Sequence, residues 1–159
     1  MILRLARMRG LGEVASAFLT GSEYFSKMRM GDTLAKDSYH LITDERVKAL
    51  TLPLSAADGH NSVLATARNW NANRIEEDAH LINQQTLIIW GEEDTVIPIR
   101  NGEKLHQSIL NSRMVVFRKC GHVPQEEYPE GFVQVVTDFC NDKKGKIETR
   151  GNDRIILED

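Results

Sequence analysis

The chain has 159 residues, 41% apolar and 27% charged, which fits one ordinary globular domain and excludes a disordered or fibrous protein. Twenty Lys and Arg against twenty-three Asp and Glu leave a net charge of −3, so no whole-chain field draws it to nucleic acid or an anionic membrane. No run reaches the roughly eighteen apolar residues of a membrane span, and two cysteines, Cys120 and Cys140, cannot build a disulfide framework, which points to a reducing cytoplasm.

Met1 to Arg9 carries three arginines and no acid, loosely like a transit peptide, but it reads better as a basic helix start. Leu11, Val14, Ala15, Phe18 and Leu19 then recur at the three-four spacing of an amphipathic helix. Gly21-Ser22 and Gly31-Asp32 set off a short element over Tyr24 to Met30. Thr43 is placed to cap a helix whose first turn holds Asp44 and Glu45, with Val47, Leu50 and Leu54 as its expected buried face. Asp58-Gly59 reads as a turn, Val63, Ala67 and Trp70 as a further helical stripe, and Ile75, Ala79 and Ile82 as a last one. No segment up to residue 82 reads as a strand.

The pattern then changes. Thr86-Leu87-Ile88-Ile89-Trp90 is a continuous apolar, β-branched run that stops at Gly91, as expected of a parallel strand buried on both faces. Leu105 and Ile109 anchor a helix after Pro98, and Met114-Val115-Val116-Phe117 is a second strand of the same kind. Pro129 suits a helix start, with Phe132, Val135, Val136 and Phe139 along one stripe. Strand, helix, strand, helix over residues 83–141 makes the fold class α/β with a parallel sheet. Residues 1–82 form a helical region ahead of it, and 142–159 read as a polar, loosely attached tail despite Ile155-Ile156-Leu157.

In open parallel sheets, functional groups gather at the carboxyl ends of the strands. Glu92-Glu93-Asp94-Thr95-Val96-Ile97-Pro98 follows the first strand, and Gly121-His122-Val123-Pro124-Gln125-Glu126-Glu127 follows the second. A carboxylate on one loop and an imidazole on the next are placed to meet, leaving the far ring nitrogen as a general base. Pro124 disfavours helix at Val123, so His122 is expected on an extended loop. Taken alone, Asp94 would be an exposed loop acid and His122 a strand-end histidine bonded to a backbone carbonyl.

Both segments, in this order and with a helix and strand between, resemble the C-terminal part of the α/β-hydrolase superfamily. The resembling branch includes carboxylesterases, carbon–carbon bond hydrolases, epoxide hydrolases and haloalkane dehalogenases. By that resemblance Asp94 is the catalytic acid and His122 the catalytic base. Residues 1–82 resemble the lid inserted before the acid-bearing strand, and Asn69-Trp70-Asn71 its end. Trp70, Val96 and Val123 are candidates to line an acyl pocket, with ordinary core or lid packing the competing expectation. The implied activity is hydrolysis of a small apolar ester or related carbonyl compound by a Ser-Asp-His mechanism, with no cofactor and no metal.

One departure governs the rest. No Gly-x-Ser-x-Gly nucleophile turn occurs in the chain, and Ser16, Ser22, Ser26, Ser38, Ser55 and Ser62 all lack its glycines. The alternatives are therefore a non-catalytic, truncated remnant serving as a binding module, or an epoxide hydrolase or dehalogenase relative, whose Asp nucleophile is absent as well. A bared apolar edge near Leu87 to Trp90 is expected to drive self-association or pairing with a complementary hydrolase half. His40, His60, His80 and His106 are expected at the surface. Glu76-Glu77-Asp78 with His80 is expected to be a solvated helix face and not a metal site, because successive helical positions do not converge on one ion. Cys120 is expected to be a buried strand-end thiol.

Overall fold

The computed structural model describes residues 11–69, 77–141 and 154–157, which fall into two compact units. One unit holds residues 11–31 and 40–69; the other holds 32–39 with 77–141 and 154–157. The basic start Met1 to Arg9 and Trp70 lie outside the described residues.

Four helices supply most of the first unit: α1 (Leu11–Gly21), α2 (Glu23–Thr33), α3 (Asp44–Ser55) and α4 (Ala57–Asn69). The end of α2 runs on into the second unit. Within the first unit α1 packs on α3 and α4. Its buried residues include Met30, Val47 and Leu64, and the buried hydroxyls of Thr51 and Ser26 lie 2.8 Å apart and share one hydrogen bond. Thr43 is the N-cap of α3, its side-chain oxygen accepting from Arg46 N at 3.3 Å.

Two expectations for these helices are corrected. Leu50 is 49% exposed, and the inward face of α3 runs through Val47 and Thr51, whose hydroxyl donates back to Val47 O. Asp58-Gly59 is the first turn of α4 and not a connection. Gly59 sits there because a Cβ would strike Pro53 O and lie 3.0 Å from Leu54 Cα, so close approach of α3 selects glycine.

The second unit is built on β1 (Thr86–Gly91), β2 (Ser112–Phe117) and β3 (Arg154–Leu157), parallel and in that order. Thr86 pairs with Ser112 and Gly91 with Phe117, so β1 and β2 end level. Helix α5 (Arg100–Ser108) links β1 to β2; the one-turn α6 (Pro124–Glu127) and then α7 (Pro129–Asn141) follow β2. On one face Ile88, Met114 and Val116 pack with Trp90, Ile99 and Leu105; on the other Val115, Phe117 and Cys120 pack with Leu87, Ile89, Tyr128, Phe132 and Val135. Burial on both faces explains why β1 and β2 are continuous apolar runs with no alternation. β3 pairs Ile155 with Val115 and Ile156 with Val116, so these residues are a strand where a loose tail is expected.

His106 also departs from expectation. Its ring is half-buried, Nδ1 lies 2.8 Å from Ser112 Oγ, and Nε2 is buried without a partner. Ser112 donates its hydroxyl to Ile109 O at 2.6 Å, so it accepts from His106 Nδ1–H.

Candidate active site at the carboxyl ends of the strands

Because β1 and β2 end level, the two chemistry-bearing loops start side by side. They are laced together at once: Glu92 N donates to Phe117 O at 2.9 Å and Glu93 N to Cys120 O at 2.8 Å. Gly91 permits this, since a Cβ there would meet Gly121 O and the carbonyl of Cys120. On the other loop Lys119 takes a left-handed φ of 48°, turning the chain so that Cys120 enters the core.

Asp94 is 8% exposed, against the expectation for a bare loop acid. It organises its own turn, as Oδ1 accepts from Val96 N at 2.9 Å and Ile97 N at 2.8 Å. A short side chain is needed for this local bonding, which is why Asp serves here. Trp90 Nε1 pins the far end of the loop by donating to Ile97 O at 3.0 Å.

The second carboxylate oxygen of Asp94 is thereby aimed away from its own loop, and His122 Nδ1 lies 2.8 Å from it. An ionised carboxylate only accepts, so the ring must donate at Nδ1. In the neutral imidazole this leaves Nε2 unprotonated, on a side chain that is 33% exposed. The pair can therefore take up a proton at Nε2 while the carboxylate stabilises the resulting imidazolium.

Other expected residues fall in different places. Val96 is 47% exposed on the acid loop, and Val123, half-buried, follows His122. Cys120 is fully buried, and burial, followed by the nearby Glu127 carboxylate, raises its thiol far above the ordinary range, so it is no nucleophile. Glu77, Asp78 and His80 are exposed, and among the described residues no group of three His, Cys, Asp or Glu is arranged to hold a metal ion. Among the described residues no helix is long and apolar enough to cross a membrane.

Sequence reasoning missed a set of backbone contacts around this pair. Thr33 O accepts from His122 N at 2.6 Å, Asp32 O from Thr95 Oγ1 at 2.8 Å, and the Glu127 carboxylate from Ala35 N at 2.9 Å. A main-chain carbonyl has no side-chain signature, so only the motif position of Glu127 hinted at them.

Residues 54–129 match the family model described as the alpha/beta hydrolase fold. A 2-hydroxy-6-oxononadienedioate/2-hydroxy-6-oxononatrienedioate hydrolase of Pseudomonas putida is 45% identical over 58 residues, 36% of this chain and 20% of that protein. Among solved structures, a meta-cleavage product hydrolase from Pseudomonas fluorescens IP01 has a TM-score of 0.64 at 25% identity, covering 76% of this chain and 46% of that one. An alpha/beta hydrolase enzyme from a Medee basin deep-sea metagenome has a TM-score of 0.72 at 20% identity, covering 90% and 52%. The chain thus spans about a fifth of the curated relatives' length and about half of these solved structures.

Proposed function

This chain is part of an α/β-hydrolase fold, and from that premise we propose that Asp94 and His122 are the acid and base of a hydrolase acting on a carbonyl compound. The observation that carries the proposal is the 2.8 Å contact between His122 Nδ1 and an Asp94 carboxylate whose other oxygen is already held by two amides. His122 Nε2 takes the hydroxyl proton of a serine as that oxygen attacks the substrate carbonyl, and then returns it to the leaving group. Water repeats the cycle on the acyl-enzyme, with His122 again taking and returning the proton. Asp94 holds the ring in the tautomer that leaves Nε2 free.

The serine comes from outside this sequence, which has no Gly-x-Ser-x-Gly turn. Val96 and Val123 follow the acid and the base on their loops and form the apolar side of the substrate site. The substrate is a small, mainly apolar ester or related carbonyl compound. The names of the relatives favour the related class, unsaturated 2-hydroxy-6-oxo acids such as 2-hydroxy-6-oxononadienedioate and 2-hydroxy-6-oxo-2,4-heptadienoate.

The test uses the full chain with and without the N-terminal part of the Pseudomonas putida relative. Alone, the chain takes no fluorophosphonate label and turns over neither a short-chain chromogenic ester nor a 2-hydroxy-6-oxo dienoate. Co-expressed with that part, it restores serine labelling and turnover, both lost in His122→Ala. Labelling of a serine within the lone chain, or restored turnover that survives His122→Ala, refutes the proposal.

A second reading follows from the sheet edge. Among the described residues β1 pairs only with β2, so the outer edge of Leu87 to Trp90 offers unpaired backbone groups. In this reading the chain acts as a binding module, joined through β1 to a second copy or to a complementary hydrolase half. Light scattering that returns a monomer, at micromolar concentration and without a partner, counts against it.

A further inference from the structure

The base loop is held down by a segment distant in sequence. Asp32–Ala35 belongs to the same compact unit as the sheet, and Leu34 and Ala35 are buried there at 7% and 3% exposure. The segment touches both chemical loops with its backbone. Asp32 O accepts from Thr95 Oγ1, next to Asp94, and Thr33 O accepts from the amide of His122 itself. Gly121 lets it approach, since a Cβ there would lie 2.5 Å from Thr33 O and 2.7 Å from Ala35 N.

Glu127 closes this arrangement. It ends α6, and its Oε1 accepts from Gly121 N at 2.8 Å while its Oε2 accepts from Ala35 N at 2.9 Å. The Cys120 thiol points to the same Oε1 at 3.7 Å. One carboxylate thus joins the residue before His122 to Ala35, which lies 92 residues from Glu127 along the chain. Both bonds are charge-assisted and lie in a partly buried setting, where such bonds are strongest.

We infer that Glu127 is a positioning residue for His122: by clamping the Gly121 amide to the Ala35 amide, it fixes the loop from which the ring reaches Asp94. Its Cα-to-carboxylate length is specific to this task. Alanine offers no acceptor, and glutamine offers one acceptor oxygen and turns two N–H donors toward the other amide. The inference rests on the reading of Asp94 and His122 as an acid–base pair and adds the part that holds the base in register.

The test reads the His122 Nδ1–H proton by NMR on the full chain, assigned by its loss in His122→Gln. In the wild type this proton gives a low-field line protected from water. Glu127→Ala speeds its exchange by about tenfold or more, the expected result of losing charge-assisted bonds at an opening loop. Glu127→Gln, which keeps one of the two bonds, falls between, and it decides the matter should Glu127→Ala not fold. A control, Ile88→Ala, destabilises the sheet core but leaves the line in place well below its melting temperature. Wild-type exchange in the Glu127 variants overturns the inference, as does an equal effect of the control. Absence of the protected line in the wild type instead overturns the acid–base pair itself, so the two failures are distinguishable.

Discussion

Replacing Asp94 by alanine tests the loop architecture and the pair together. The substitution strips the acceptor from Val96 N, Ile97 N and His122 Nδ1, which lie 2.8–2.9 Å from the carboxylate. A donor left without a partner costs about 1–3 kcal/mol when buried, and about 1–2 kcal/mol for each of these part-buried amides. The imidazole is 33% exposed and can turn to water, so the two amides dominate. The expected loss is about 2–4 kcal/mol of unfolding free energy. For a chain of this length that corresponds to a fall of roughly 5–15 °C in Tm. Asp94→Asn keeps an oxygen for the two amides and loses only the match to Nδ1–H, so it should cost about 1 kcal/mol. Urea titration followed by tryptophan fluorescence, with Trp90 beside the acid loop, measures both. An Asp94→Ala variant within about 0.5 kcal/mol of the wild type, the range of an ordinary surface substitution, would refute the reasoning.

Four further outcomes are expected. Burial raises the Cys120 thiol above its ordinary value of 9.0, so the folded state keeps this proton where the unfolded chain releases it. Stability should therefore fall as pH rises past 9.0, by up to about 1.4 kcal/mol per pH unit, and equilibrium denaturation should show this slope vanish in Cys120→Ala. Cys140, exposed, should react with an aromatic disulfide reagent in the native state while Cys120 waits for unfolding. Gly102→Ala places a Cβ 2.7 Å from Trp90 Cε3 and should destabilise by about 1–3 kcal/mol, read by urea titration. Thr43→Ala removes an exposed cap bond of 3.3 Å and should cost about 0.5–1 kcal/mol, read as a small fall in Tm.

Much of the sheet unit is legible in the sequence because its signals are local. The run Thr86 to Trp90 and the run Met114 to Phe117 declare doubly buried parallel strands, and Gly91 and Pro129 mark where elements change. Asp94 and His122 are legible for the same reason: each follows a strand end directly, and parallel pairing puts those ends together. What escaped is non-local or depends on neighbours. Gly59 looks like a turn because glycine's commonest use is a turn; here the end of α3 demands it. Leu50 looks like core because it lies three residues from Val47, but the inward face continues through Thr51, whose hydroxyl is satisfied within the helix. Ile155-Ile156-Leu157 carries a strand's composition, yet only its pairing with β2 separates it from a tail. The contacts of Asp32–Ala35 are made by carbonyls and amides, which every residue has, and no spacing announces them.

The central claim is most directly tested by the tautomer of His122 in the neutral ring. Long-range proton–nitrogen NMR on labelled protein distinguishes the two ring nitrogens by their shifts. Hydrogen on Nδ1 and a bare Nε2, reverting to a solvent-like mixture in Asp94→Ala, is the predicted result. A proton on Nε2 in the wild type, or a ring that ignores the loss of Asp94, would contradict it.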